Sequence, residues 1–103
     1  MKIIRIQYTV SPAFAEANKK NIIKVMDELK SINHPGIRYS SYVLDDGKTF
    51  MHFVVFQDEE ASKVIGNFES FKHFQAELMA SNPEIPPKFE NLTLVGSSYD
   101  ILG

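Results

Sequence analysis

The sequence predicts an α+β fold of the ferredoxin-like type, with its elements in the order β-α-β-β-α-β. Three observations lead to this fold: a hairpin signal in the middle of the chain, a strand that is apolar on both faces, and two helical segments that each follow a strand. With a right-handed crossover in each half, this order gives a four-stranded antiparallel sheet with both helices on one face. Residues 1–103 are expected to form one domain.

The central hairpin spans residues 36–56 and turns at Asp45-Asp46-Gly47-Lys48. An Asp-Gly pair between apolar runs is a strong hairpin signal, because glycine supplies the positive φ that the turn needs. The second strand, FMHFVVF at 50–56, is apolar on both faces and therefore needs a covering layer on each side. Since two helices cover only one face, we expect a second copy to cover the other in a C2 homodimer, a dimeric α/β barrel.

The first half of the chain shows a strand followed by a helix. Residues 2–10 alternate, with Ile4, Ile6, Tyr8 and Val10 on one face. Ser11 as N-cap and proline at the next position predict the start of a helix that runs to about residue 32.

The second half shows a broken helix and a last strand. Asp58 is expected to cap the helix, which should break at Gly66 and Asn67 and restart with Ser70 as a cap. Residues 81–87 contain three prolines and predict an extended connector. Residues 91–102 alternate again and predict the last strand.

Composition excludes several classes of function. A net charge of −2 and a pI near 5.9 give no basic surface for nucleic acid or for an anionic membrane, and neither partner is expected. The chain has no cysteine, which excludes disulfides, thiol catalysis and thiolate metal sites, and we expect a cytoplasmic location. The three histidines are too scattered to predict a metal site.

Three short segments of the sequence resemble the antibiotic-biosynthesis-monooxygenase-like group of dimeric α/β-barrel proteins. The segments that carry the likeness are HPGIRYSSYVL, FMHFVVFQDEEA and ESFKHFQAEL. The residues at family positions are Pro35, Gly36, Tyr39, Phe56, Gln57, Asp58, Ala61, Ser70, His73 and Phe74. Phe56 replaces the usual Trp. Haem-degrading relatives use an Asn on the first strand and a Trp on the second helix, and since this chain has neither, the likeness does not imply haem degradation.

The resemblance implies a cofactor-independent oxygenase activity on a small aromatic or quinol-type compound, with no cofactor. The alternative is a non-catalytic member that binds a small apolar ligand or serves as an accessory protein. In the first case the ligand would lie between the sheet and the second helix.

The candidate catalytic residues are His73 and His52. His73 falls where members of the family often place a histidine, and it could act as a base near neutral pH if it points inward. The alternative is a half-exposed position on the helix. His52 interrupts an aromatic strand, so it either lines a pocket or is hydrogen-bonded in the core. The candidate ligand-binding residues are Tyr8, Tyr39, Phe68 and Phe71, for which simple packing is the alternative.

Overall fold

Four strands form one antiparallel sheet in the computed structural model, which describes residues 1–103. The strands are β1 (Lys2–Thr9), β2 (Ile37–Val43), β3 (Thr49–Phe56) and β4 (Ile85–Leu92), in the spatial order β2-β3-β1-β4. The helices are α1 (Ala15–Ile32), α2 (Glu59–Ser62) and α3 (Glu69–Ala80). The predicted ferredoxin-like α+β fold is confirmed. No helix combines the length and the apolar character needed to cross a bilayer.

The register of the two central strands decides which side chains enter the core. Tyr8 of β1 lies opposite Phe50 of β3, and Ile6 lies opposite His52. Residues directly opposite each other point to the same face of a sheet, so these four share the face that the helices cover. The buried apolar side chains on that side include Tyr8, Val10, Ile22, Val25, Ile37, Phe50, Val54, Phe56, Phe74 and Leu78.

The predicted hairpin is present, and it turns through Gly47 at a φ of +74°. The backbone N–H of Gly47 donates to the carbonyl of Leu44 at 2.9 Å, and the N–H of Leu44 donates to the carbonyl of Thr49 at 2.8 Å. The Asp46 carboxylate accepts hydrogen bonds from the backbone N–H groups of Lys48 and Thr49 at 2.9 and 2.8 Å. The turn residues therefore fix the pairing of β2 with β3.

Two of the three predicted helix caps are wrong. Residues 12–14 form a separate turn, so Phe14, not Ser11, holds the N-cap position of α1. The N-cap position of α3 is Phe68, and the Ser70 hydroxyl instead donates to Glu28 Oε1 at 2.6 Å, which ties α3 to α1. The Asp58 cap is confirmed, since its carboxylate accepts from the Ala61 N–H at 2.9 Å.

The break in the second helical segment is also confirmed. A 3₁₀ turn at Ile65–Asn67 separates α2 from α3. Glycine and asparagine are poor residues for a helix interior, which explains why the segment does not continue as one helix.

The last strand lies earlier in the chain than the alternation predicted. β4 spans Ile85–Leu92, while residues 93–103 form no strand. Pro86 and Pro87 fit because β4 is an edge strand and because Tyr8 alone lies opposite both of them, in a bulge between the pairs Gln7–Lys88 and Thr9–Ile85. The alternation at 91–102 therefore did not determine the position of the last strand. Pairing with the free edge of β1 did, and it selected residues 85–92.

The sheet face opposite the helices is partly covered by the C-terminal segment, residues 93–103. Arg38 Nη2 donates to the Leu102 carbonyl at 3.0 Å, and the segment and the sheet together line a groove of about 540 Å³. Arg5 pairs with Glu90 at 2.6 Å on the same face. Val95 and Tyr99 remain mostly exposed, so apolar surface is still open to solvent there.

Candidate functional site

A cavity of about 450 Å³ lies between the helix-covered face of the sheet and α3. Nine of its twelve lining residues are hydrophobic, and the set is Ile6, Tyr8, Tyr39, His52, Phe71, Phe74, Gln75, Ala76, Leu78, Met79, Pro87 and Phe89. Met79 and Phe89 are 69% and 67% exposed, so they mark the opening of the cavity to solvent. A cavity of this size and lining suits a small, mostly apolar ligand.

His52 sits at the inner wall of this cavity and is only 1% exposed. Its Nε2 atom lies 2.9 Å from the Tyr8 hydroxyl, and its Nδ1 atom lies 2.9 Å from the Tyr39 hydroxyl. The strand period of two places His52 on the helix-covered face, between β1 and β2, which carry the two tyrosines. Both ring nitrogens therefore have a partner.

Asn18 of α1 extends this contact. Its Nδ2 atom donates to the Tyr8 hydroxyl at 2.9 Å, and the residue is 0% exposed. Asn18, Tyr8, His52 and Tyr39 thus form one continuous series of hydrogen bonds, which we call the polar chain. It runs from α1 across the sheet to the wall of the cavity.

Burial keeps the polar chain uncharged at neutral pH. Desolvation lowers the pKa of His52 from 6.5 to about 4, so the imidazole is neutral. Burial also raises the pKa of the Tyr8 and Tyr39 hydroxyls well above its ordinary value. The site consequently offers hydrogen bonds to a ligand without offering a formal charge.

The fold that carries this cavity is shared with known structures. A crystal structure of an antibiotic biosynthesis monooxygenase matches at a TM-score of 0.74 and 12% identity, covering 93% of this chain and all of that one. A candidate antibiotic biosynthesis monooxygenase from Bacteriodes thetaiotaomicron matches at 0.82 and 11%, covering 97% and 94%. This chain has the fold of the antibiotic biosynthesis monooxygenases.

A third match adds a described activity. A variant of SnoaB, a cofactor-independent oxygenase from Streptomyces nogalater, has the monooxygenase fold with a TM-score of 0.70 and 14% identity, covering 96% of this chain and 97% of that one. Searches with the sequence itself match no protein-family model and no curated protein. At these identities the likeness is one of fold.

Within this monooxygenase fold, the structure brings four of the six sequence-predicted site residues to the cavity: Tyr8, Tyr39, His52 and Phe71. Phe68 is 8% exposed and belongs to the core at the start of α3, not to the cavity wall. His73 takes the alternative position considered for it. Its side chain is about half exposed, with Nε2 3.8 Å from Glu77 Oε1 on the outer surface of α3.

Sequence reasoning missed Asn18, which this structure buries beside Tyr8. One signal was present: Ala15, Asn18, Ile22 and Val25 follow one another at helical steps of three and four, so Asn18 falls inside the apolar stripe of α1. A polar residue in such a stripe needs a buried partner. No three His, Asp or Glu side chains converge to hold a metal ion.

Proposed function

We propose that the chain binds a small aromatic or quinol-type compound in the cavity beside α3 and oxidises it as a cofactor-independent, monooxygenase-like enzyme. The observation that carries this proposal is the position of the polar chain, which is buried on the protein side and ends at an apolar cavity of about 450 Å³. SnoaB, a cofactor-independent oxygenase of the same fold, supports the reaction class.

The cavity suits a flat ring system with a polar group at one end. Phe71, Phe74 and Phe89 contribute aromatic surface, which favours offset or edge-to-face contact with a ligand ring. At the inner wall, the Tyr39 hydroxyl has a single hydrogen-bond partner in the protein, His52. It can therefore form a further hydrogen bond to a ligand. An oxygen atom of the ligand would bind there.

The proposed reaction needs no external reductant. An electron-rich ring compound with a CH₂ group conjugated to a phenolate reacts with O₂ to give a C=O group and one water, so the substrate supplies all four electrons. One oxygen atom enters the product and the other leaves in water, together with the two hydrogens of the CH₂ group. The protein would contribute a hydrogen bond to the phenolate oxygen in a site with little water, where such a bond is strong.

His52 has a supporting role in this proposal. Both of its ring nitrogens are occupied, and a pKa of about 4 makes it a weak proton acceptor at neutral pH. We therefore propose that His52 orients the Tyr39 hydroxyl. The substrate proton would leave to solvent before the phenolate reacts.

Oxygen uptake tests the proposal. Electron-rich phenols and quinols that carry such a conjugated CH₂ group are supplied to the wild type, to Tyr39→Phe and to His73→Ala, and oxygen consumption is followed with an oxygen electrode. We expect Tyr39→Phe to lower kcat/KM about tenfold or more, because it removes the hydrogen bond to the phenolate oxygen. His73→Ala is the control and should match the wild type, since His73 lies outside the cavity. Equal rates for all three proteins would remove Tyr39 from the mechanism.

The alternative is a non-catalytic protein that binds a small ligand. The observation that favours it is that no side chain of the polar chain is free to act as a base, because both ring nitrogens of His52 are hydrogen-bonded and its pKa of about 4 makes it a weak proton acceptor. Ligand binding in the cavity without oxygen uptake for any compound would support this alternative against the enzyme.

A homodimer is part of the same proposal. The apolar surface that the C-terminal segment leaves open would be covered by the same surface of a second copy. A cytoplasmic location stays a prediction from the absence of cysteine.

A further inference from the structure

We infer that the polar chain points in one direction, so that Tyr39 presents its hydroxyl proton to the cavity and the site selects ligands that offer an acceptor oxygen. This inference rests on the proposed ligand site and deepens it, because it names the chemical group that the ligand must carry. It follows from counting the protons that three buried residues and the part-buried Tyr39 share.

The count starts at Tyr8, which is 1% exposed. Its hydroxyl has two partners, Asn18 Nδ2 and His52 Nε2. The amide nitrogen of Asn18 is a donor and cannot accept a proton. The proton of the Tyr8 hydroxyl can therefore be donated only to His52 Nε2.

The next link is His52. A neutral imidazole carries one N–H, so a ring whose Nε2 atom accepts must carry its proton on Nδ1. That N–H donates to the Tyr39 hydroxyl oxygen, which lies 2.9 Å away. The Tyr39 proton then has no partner within the protein and is available to a ligand in the cavity.

The direction depends on how the Asn18 amide is turned. If its carbonyl oxygen faced Tyr8, every hydrogen bond in the chain would reverse, and Tyr39 would present only lone pairs. Asn21, on the same buried face of α1, has an Nδ2 atom without a partner, and Asn18 Oδ1 also has none. These two atoms are not hydrogen-bonded to each other, so the direction rests on the contact of Asn18 Nδ2 with the Tyr8 hydroxyl at 2.9 Å.

The ligand class follows from this direction. A carbonyl or phenolate oxygen can accept from Tyr39, while a ligand whose polar atom is only a donor gains less. Apart from the residues of the polar chain, Gln75 is the one lining residue with a polar side chain, and the others are apolar. The site is therefore matched to an aromatic compound with an acceptor oxygen at its inner end.

A nitrogen-15 NMR measurement on histidine-labelled wild-type protein tests the direction without any ligand. We expect His52 to show its proton on Nδ1, which is the minor form of free histidine in water. His52→Gln identifies its signals. A proton found on Nε2 would overturn the inference, whatever the protein does to substrates.

Binding of three bicyclic probes tests the selectivity. Coumarin carries only acceptor oxygens, indole carries an N–H donor, and naphthalene carries neither. We expect coumarin to lose about tenfold in affinity on Tyr39→Phe, the value of one ordinary hydrogen bond, and naphthalene to change by less than about threefold. A larger loss for indole than for coumarin would overturn the inference. If no probe binds, the proposed function fails, and the NMR result still decides the direction.

Discussion

At the scale of single residues, the burial of His52 makes stability depend on pH. Its folded pKa of about 4 lies below the ordinary value of 6.5, so the unfolded chain binds the proton more readily. The stabilisation is complete above pH 6.5 and is lost as the pH falls towards 4. The full loss is about 3 kcal/mol, or about 1.4 kcal/mol for each pH unit. Urea unfolding at pH 7, 5.5 and 4.5 measures it.

The control for this prediction is His52→Gln, which keeps one donor and one acceptor but cannot titrate. The difference in unfolding free energy between this variant and the wild type should shrink as the pH falls. Parallel curves for the two proteins would contradict the prediction. His73→Gln, changed at an exposed position, should follow the wild-type curve.

Glycine is required at position 36 for space. A Cβ atom there would lie 2.8 Å from Gln57 Oε1 and 3.1 Å from both Gln57 Cβ and His34 Cε1. We expect Gly36→Ala to lower the free energy of unfolding by about 1–3 kcal/mol, because several atoms must move at once. Gly66→Ala is the control. Its Cβ meets nothing within 4 Å, so stability should be unchanged or rise by up to about 1 kcal/mol. Chemical denaturation measures both, and equal effects would contradict the crowding argument.

From the sequence it was possible to say which strand residues share a face, but not which side chains they contact. A strand has a fixed period of two, so alternation showed which strand residues share a face with Tyr8 and with His52, but it left open to which face His52 points. Asn18 could not be assigned, because its contact with Tyr8 depends on how α1 lies over the sheet. Whether the His73 side chain faces the sheet or solvent likewise depends on the rotation of α3 about its axis. The periodicity of the sequence determines that rotation only to within one residue.

At the scale of elements, the central hairpin is held by one of its two aspartates. The Asp46 carboxylate accepts from Lys48 N, Thr49 N and Thr49 Oγ1, and these bonds, with that of Thr49 Oγ1 first, lower its pKa. Asp45 makes no such contact. We expect Asp46→Ala to lower the melting temperature and Asp45→Ala to leave it nearly unchanged.

A melting series against pH checks the origin of this effect. Since the folded pKa of Asp46 is lowered, its contribution is present above pH 3.8 and is lost as the pH falls through the folded value. The gap between wild type and Asp46→Ala should therefore close at acidic pH. A gap that persists there would show that the carboxylate charge is not the cause.

The elements themselves were predicted well where one local signal dominated. The hairpin, the Asp58 cap and the helix break each follow from a few adjacent residues. The position of β4 was predicted wrongly because two adjacent prolines, Pro86 and Pro87, locally disfavour a strand. They are tolerated here because β4 lies at the edge of the sheet and because a bulge opposite Tyr8 contains them. Such tolerance is visible only once the strand order is known.

At the scale of the whole molecule, the face opposite the helices predicts self-association. Phe53 lies on that face and lines the groove that the C-terminal segment shares. We expect a dimer in sedimentation velocity at micromolar concentration, and we expect Phe53→Arg to weaken the dimer at least about tenfold by burying an unpaired charge. Ile23→Arg, changed at an exposed position of α1, is the control and should leave the dimer intact.

A stable wild-type monomer at that concentration would contradict the proposed dimer. A dimer that Ile23→Arg weakens as much as Phe53→Arg does would place the contact elsewhere.

The overall topology was predictable because alternating and apolar segments allow few arrangements of four strands and two helices. The cavity was predictable in place but not in depth, since its volume depends on the packing of α3.

The paired prolines of β4 also restrict how the sheet can grow. Successive N–H groups of a strand point to opposite sides, so two adjacent prolines leave the outer side of β4 without at least one donor. An extra strand added there would leave a carbonyl of its own unpaired. β2, at the other margin, has no proline and keeps its full row of donors and acceptors. Amyloid-like stacking or strand exchange by this protein is therefore expected to begin at β2.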